Sequence, residues 1–534
     1  MTPTKISTRP PVKPPGIPLF LAPFPLIGFF LLFLPLAYLF VRAAEAEGGE
    51  LIHLVFRYRN WELLRNTILL ALGVGSAALL ISLPLAWLTE RSDIGNKKVL
   101  TVIAVLPLTI PGYVMAYALL SLGGNLGILS QVFGLTVPRL SGLAGATLSL
   151  TLYSYPYLYL NIRTALANLD PGLEESARSL GYSGVQVFLW VILPQLWPGL
   201  LSGLVIILLY TLGDFGVVAL MRFPVFSYAI YNQYSGAFDR VYAAVLSLLL
   251  VLLSFGILYA SRRMQRIARY SRTGAGTQSR VKIYPLGAWK PFALVFLGMT
   301  FLFTLVLPGG ILMFWMFQAR GTSTGLLNAF LGSFSASVPT ALLAVLIALP
   351  TVYLAQRFPR PLTRGFETLG SLGYGVPPVA LGLGLVFFSL RGAMIMYQTL
   401  GLLVLGYTLH FLALAQGPLR TALLQTPRKI EEAARSLGYS PSGAFFRALL
   451  PSIFRGISGA GILVFIMAMK ELPLTLLLAP TGFTSLATAV FTRTSEALYS
   501  EAAPYAGSII AFSSIFVGLI IRYEGKGYET SSSK

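Results

Sequence analysis

The chain has 534 residues, 55% of them hydrophobic and 11% charged, with a formal net charge of +20. It contains no cysteine, which excludes disulfides, thiolate nucleophiles, Cys-ligated zinc and iron–sulfur clusters. Its two histidines, His53 and His410, lie in opposite halves and neither is assigned a metal; no phosphate-binding Gly-x-x-x-x-Gly-Lys-Ser/Thr loop is present, so any ATP is expected on another chain.

Residues 1–17, with Pro3, Pro10, Pro11, Pro14 and Pro15, hold too little apolar material to fold and are expected to be a disordered cytoplasmic tail. Apolar blocks then recur at about the 20 helical residues that a ~30 Å hydrocarbon core requires. Spans are expected at 18–41, 67–89, 99–121, 141–161, 192–220, 241–260, 291–317, 332–354, 367–390, 397–416, 449–479 and 504–522. The first apolar run is longer than that of a signal peptide, so an uncleaved helix is expected despite the cleavage-like Ala44-Glu-Ala46. With the N-terminus inside, inner segments and adjoining span ends hold 28 Lys and Arg and outer ones 10, which satisfies the positive-inside rule. The basic excess therefore reads as topology and not as a nucleic-acid surface.

Six spans per half give an all-α integral membrane protein of two parallel six-helix repeats, related by a pseudo-twofold axis along the membrane normal. The expected division is a first half at 18–265, a cytoplasmic linker at 266–290, a second half at 291–522 and a cytoplasmic tail at 523–534. Gly274-Ala-Gly-Thr-Gln-Ser279 gives the linker a flexible composition.

One polar stretch occurs twice: Glu174-Glu-Ser-Ala-Arg-Ser-Leu-Gly-Tyr-Ser183 returns as Glu431-Glu-Ala-Ala-Arg-Ser-Leu-Gly-Tyr-Ser440, displaced by 257 residues. In each copy a Leu-Pro follows at the same distance, Leu193-Pro194 and Leu450-Pro451. Asp170 before Pro171, and Thr426 before Pro427, are expected N-caps of a short helix. Leu173, Ala177 and Leu180, matched by Ile430, Ala434 and Leu437, form an apolar stripe with Glu175 and Arg178 elsewhere. Gly181 and Gly438 suit a left-handed C-terminal position, and Ser183 and Ser440 can cap a following helix. An amphipathic elbow in the headgroup layer needs only such a pattern, whereas retention of nearly identical residues points to a docking helix for a partner with two equivalent grooves.

Other matched residues carry charge. Asp214 and Glu471, again 257 apart, fall near the outer ends of the fifth and eleventh spans. They either line a pathway, where two carboxylates suit a hard cation, or belong to a structural ion pair with Lys470. Asp239 and Glu496 match in outer segments, as contacts for a soluble protein or as solvated loop charges. Arg163 and Arg420 mark the cytoplasmic ends of the fourth and tenth spans. Tyr153, Tyr155, Tyr157 and Tyr159 alternate in the fourth span, as pore-lining residues or for packing and interface anchoring; the latter is expected because their counterparts from His410 onward are mostly aliphatic.

Glu175, Ala177, Gly181 and Leu193-Pro194, repeated as Glu432, Ala434, Gly438 and Leu450-Pro451, resemble the cytoplasmic motif of binding-protein-dependent ABC importer permeases. Ser176 departs from the family's Glu-Ala-Ala in the first copy. The resemblance extends over essentially the whole chain. Gly213-Asp-Phe-Gly-Val-Val218, Met469-Lys-Glu-Leu-Pro-Leu474 and Pro480-Thr-Gly-Phe-Thr-Ser-Leu-Ala-Thr488 look like the ferric-iron branch of fused double permeases. It implies coupling helices, carrying Glu175, Ala177, Arg178, Gly181, Glu432, Ala434, Arg435 and Gly438, seated on two copies of one ATPase. It also implies an extracytoplasmic binding protein, ATP and Mg on the ATPase with no cofactor on this chain, and a bacterial inner-membrane location. Fused thiamine and phosphonate permeases share the architecture. An ion-coupled secondary transporter and an intramembrane enzyme are the rival classes; neither accounts for the doubled motif.

Overall fold

The computed structural model describes residues 19–46, 49–269, 283–319 and 325–529, and is helical throughout, with one isolated backbone bridge between Ser92 and Tyr284. The tail at 1–17, the linker residues 270–282 and the last residues 530–534 lie outside the described residues.

Helices stand at each of the twelve places where apolar blocks are expected. Among the described residues seven are long and apolar enough to cross a membrane, and up to ten if each of three bent pairs is one span. The bends measure 84° between Lys97–Thr109 and Gly112–Leu120, 105° between Pro361–Gly375 and Pro378–Gly392, and 71° between Pro441–Ser452 and Phe454–Met469. Pro111 and Pro377 sit at the first two, where the missing N–H and the ring break the helical ladder.

Proline has a second, repeated effect. The π-helical turns at Phe188–Ile192, Leu302–Val306 and Phe445–Leu449 each run directly into a Leu-Pro, at Pro194, Pro308 and Pro451. A proline ring clashes with the carbonyl four residues earlier, and a widened turn relieves that clash while keeping the other bonds. The fifth and eleventh blocks do not continue to 220 and 479 as single helices. They stop at Gly213 and Met469, and the chain turns into short helices at Gly216–Leu220 and Pro473–Leu478.

Within the first half, Tyr58–Arg91 packs along Gly142–Ala167; within the second, Leu326–Arg357 packs along Leu400–Gln425. The first helix, Pro23–Ala43, lies against Arg240–Arg269 and against Pro378–Gly392 of the other half. Leu307–Gln318 takes the corresponding place between Tyr499–Glu529 and Gly112–Leu120. At the first crossing Gly384 is required, because a Cβ there would stand 2.4 Å from the Pro35 carbonyl oxygen.

Candidate functional site

Both copies of the repeat form a short helix, a left-handed glycine and a second helix start. In the first, Asp170 Oδ1 accepts the Gly172 N–H at 2.9 Å and begins Pro171–Ser179. Gly181 has φ +88°; its N–H donates to the Arg178 carbonyl, and the Tyr182 N–H to the Ala177 carbonyl. Gly438 has φ +90° and the same two bonds recur from Gly438 to Arg435 and Tyr439 to Ala434, a Schellman closure in each copy. Ser183 and Gln186 then form a capping box, and Ser440 Oγ accepts the Gly443 N–H at 3.1 Å.

Thr426 is not the cap expected of it. The second helix spans Lys429–Ser436 after Arg428, and the Thr426 hydroxyl donates to the Ala422 carbonyl at 2.8 Å, which keeps it with the preceding helix.

The apolar stripe also faces differently from a buried stripe. The residues turned into the bundle are Glu174 with Ala177, and Glu431 with Ala434, while Leu173, Leu180 and Leu437 stand 50%, 78% and 79% exposed. Glu175, Arg178 and Glu432 are exposed as well. Glu174 meets Arg91 Nη1 at 2.8 Å with both side chains fully buried, and Arg91 also donates to the Leu166 carbonyl at 3.1 Å. Glu431 meets Arg357 Nε at 2.8 Å, off the axis of a hydrogen bond, and accepts the Tyr353 hydroxyl at 2.8 Å. Each motif helix is therefore pinned by its first glutamate to the last residue of a long helix, Tyr58–Arg91 in the first half and Leu326–Arg357 in the second. Sequence reasoning missed this role, although the signal, two acidic residues in both copies, was present.

Arg163 and Arg420 make different contacts despite their identical surroundings: Arg163 Nε lies 3.1 Å from Glu90, and Arg420 Nε 2.7 Å from Glu367.

Asp214 and Glu471 come together in the wall of one cavity between the halves. Asp214 Oδ1 accepts the Val217 N–H at 2.9 Å and Glu471 Oε1 accepts the Leu474 N–H at 3.2 Å, so each carboxylate caps the short helix that follows it. Lys470 shares the cavity, but its ammonium donates to the Leu108 carbonyl at 2.9 Å and lies 5.7 Å from the centre of the Tyr153 ring; among the described ion pairs none joins it to Asp214.

The tyrosine series divides between two faces. Tyr153 and Tyr157, one helical turn apart, line the cavity, whereas the Tyr155 hydroxyl donates to the Ala104 carbonyl and the Tyr159 hydroxyl to Thr89 and Thr101. Packing describes all four, since the Tyr153 ring also lies 5.0 Å from that of Tyr210 and 6.3 Å from that of Tyr157, but Tyr153 and Tyr157 line the cavity as well. His410, at the position matching Tyr153, also lines the cavity, stacked on Tyr374 at 5.5 Å between ring centres. Its Nδ1 is buried without a hydrogen-bond partner. No group of three or more His, Asp or Glu is arranged to hold a metal among the described residues. Away from the cavity, Asp239 Oδ1 accepts the Tyr242 N–H at 2.9 Å, and Glu496 is exposed at the end of Leu486–Ser495.

The sequence profile of the binding-protein-dependent transport system inner membrane components matches this chain twice, at residues 82–263 and 342–523. The Fe(3+)-transport system permease protein FbpB 2 of Haemophilus influenzae is 34% identical over 502 residues, covering 92% of this chain and 96% of that protein. The molybdenum transport system permease protein ModB of the same organism is 34% identical over 223 residues, 38% of this chain and 95% of its own. A solved structure of the MetNI methionine ABC transporter, in inward-facing conformations, aligns with 40% of this chain and 97% of its own at 19% identity and a TM-score of 0.32.

Proposed function

Since the chain belongs to the binding-protein-dependent transport system inner membrane components, multi-pass proteins of the inner membrane, we propose that it is the fused permease of an ATP-driven ferric-iron importer. Iron is favoured over molybdenum because the iron permease aligns with 92% of the chain and the molybdenum permease with 38%. In this reading the chain crosses the membrane twelve times with both termini in the cytoplasm, as two parallel halves about a pseudo-twofold axis. The division is the one expected above, with halves at 18–265 and 291–522 joined by 266–290.

The observation that carries the proposal is the doubled motif, pinned at Glu174 and Glu431 and open to solvent at its leucines. Two copies of one ATPase seat on these segments, reading Glu175, Arg178 and Gly181 in one and Glu432, Arg435 and Gly438 in the other, while Ala177 and Ala434 seat the inner face of each motif helix on the bundle. ATP and Mg are held by those subunits. When they close, each motif helix moves as a lever, since its buried ion pair ties it to a long membrane helix, and the halves rock around the cavity. Asp214 and Glu471 line the cargo's path, side by side in the cavity wall. A soluble binding protein delivers the cargo against the outer surface near Asp239 and Glu496.

The test is reconstitution with the partner ATPase in proteoliposomes. Binding protein loaded with Fe3+ is expected to stimulate hydrolysis, and variants at Gly181 and Gly438 to lose the stimulation. Stimulation by a thiamine-loaded binding protein alone would keep the machine and reassign its cargo. Uptake that stops on dissipating the ion gradient while ATP remains would overturn the ATP-driven reading.

A further inference from the structure

Both motif helices are anchored by a buried glutamate that meets an arginine and a tyrosine hydroxyl, but the tyrosines come from different places. In the second half the Glu431 carboxylate takes Arg357 on one oxygen and the Tyr353 hydroxyl on the other, both from one helix and four residues apart. In the first half the residue four before Arg91 is Trp87, whose indole has no hydroxyl to offer. Glu174 accepts instead from the hydroxyl of Tyr284, at 2.5 Å, a residue of the segment that joins the halves. The Tyr284 ring stacks on Trp87 with centres 5.7 Å apart and planes 20° from parallel. The phenol thus arrives beside the side chain that occupies the place of Tyr353.

The segment is fixed along its length. The Tyr284 N–H donates to the Arg91 carbonyl at 2.7 Å, the Leu286 N–H to Asp93 Oδ1 at 3.0 Å, and Lys290 Nζ lies 3.6 Å from Asp93. The Leu286 N–H holds the Asp93 carboxyl below its usual range. From the other side, the Arg178 guanidinium of the motif helix lies 5.2 Å from the Tyr284 ring centre.

We propose that residues 284–290 are a strap that completes the anchoring of the first motif helix, with Tyr284 as the positioning residue that does for Glu174 what Tyr353 does for Glu431. A buried carboxylate left with an unfilled oxygen weakens the site that holds it, so the phenol keeps the Arg91–Glu174 pair, and with it Pro171–Ser179, in place. The strap runs directly into Lys290–Phe301, the first helix of the second half. A displacement of the first motif helix is therefore passed to both halves, and one of the second to its own half. That consequence for transport rests on the coupling role proposed above; the anchoring itself does not.

Hydrogen–deuterium exchange of the full chain in lipid nanodiscs separates the two. Tyr284→Phe is expected to speed exchange of amides 172–182 by about tenfold and leave 429–439 unchanged, with Tyr353→Phe giving the converse. Adding Trp87→Tyr to Tyr284→Phe supplies the hydroxyl from the place the second half uses and is expected to restore slow exchange. Asp93→Ala, which frees the strap without touching Glu174, is expected to act like Tyr284→Phe. No change with Tyr284→Phe, an equal rise in both segments, or no rescue by Trp87→Tyr overturns the proposal. None of these readings involves an ATPase, so their failure leaves the importer assignment standing, and failure of that assignment leaves the strap.

Discussion

At the scale of single residues, the chain distinguishes two neighbouring glutamates that are chemically the same. Glu174 and Glu431 face inward onto arginines, and Glu175 and Glu432 face out. Removing one member of a buried pair strands the other charge, at a cost of about 3–5 kcal/mol, while replacing both with apolar residues is far milder. Arg357→Ala is accordingly expected to lower the thermal midpoint of the purified chain much more than Arg357→Met with Glu431→Leu, measured by the same unfolding scan. Asp214 has two tasks that substitution can separate. Asn keeps the cap on Val217 and Ala does not, a difference of ~1 kcal/mol. Asp214→Asn should therefore leave the thermal midpoint near that of the unmodified chain while slowing iron uptake, and Asp214→Ala should lower both. Uptake unaffected by Asn would remove Asp214 from the path.

At the scale of elements, the glycine closures and the proline-linked π-turns set where each segment points. Gly181 and Gly438 lie at φ near +90°, where a side chain is strained; Gly438→Ala is expected to cost roughly 1 kcal/mol locally and to weaken ATPase coupling. Leu180→Ser and Leu437→Ser touch exposed residues, so the chain's thermal midpoint should hold while co-purification with the ATPase falls. Retained co-purification would mean the leucines face lipid or solvent only. Pro451→Ala removes the clash that the π-turn relieves and is expected to convert Phe445–Leu449 to an ordinary α-turn, rotating the motif side by roughly 100° relative to the bundle. Because the chain has no cysteine, paired single-cysteine reporters on either side of the turn can read that rotation. An unchanged crosslinking pattern would show that surrounding contacts, and not the proline, hold the turn.

At the scale of the whole molecule, the halves are interleaved. Pro23–Ala43 lies on Pro378–Gly392, the Tyr117 hydroxyl donates to the Tyr499 carbonyl at 2.8 Å, and the Phe215 and Phe491 rings meet 5.5 Å apart. These contacts do not require a continuous chain. Residues 1–269 and 283–534 expressed as separate polypeptides are expected to co-purify, and to keep slow exchange at 172–182 because Tyr284 travels with the second. Recovery of either fragment alone as a folded species would contradict the interleaving.

Much of this was legible beforehand, and the reason is periodicity. Apolar blocks fell where membrane-length helices or bent helix pairs stand, and the 257-residue repeat singled out both motifs, their left-handed glycines and the Asp214–Glu471 match, because these depend on local spacing or on comparing the chain with itself. Thr426 misled because a threonine at a helix junction can bond forward or back, and local sequence does not say which. Cavity lining by Tyr153 and Tyr157 was set aside because their counterparts from His410 onward are mostly aliphatic, and matching positions in the two halves need not carry matching side chains. The sequence by itself determined the repeat and the membrane-spanning class. Only the tertiary structure decided that Glu174 and not Glu175 is buried, that two carboxylates 257 residues apart share one cavity, that the first helix crosses to the other half, and that Tyr284 stands in for Tyr353. Each of those is a contact between segments distant in the chain, and pairing across such distances is set by packing and by partners for buried charge, which local patterns do not encode.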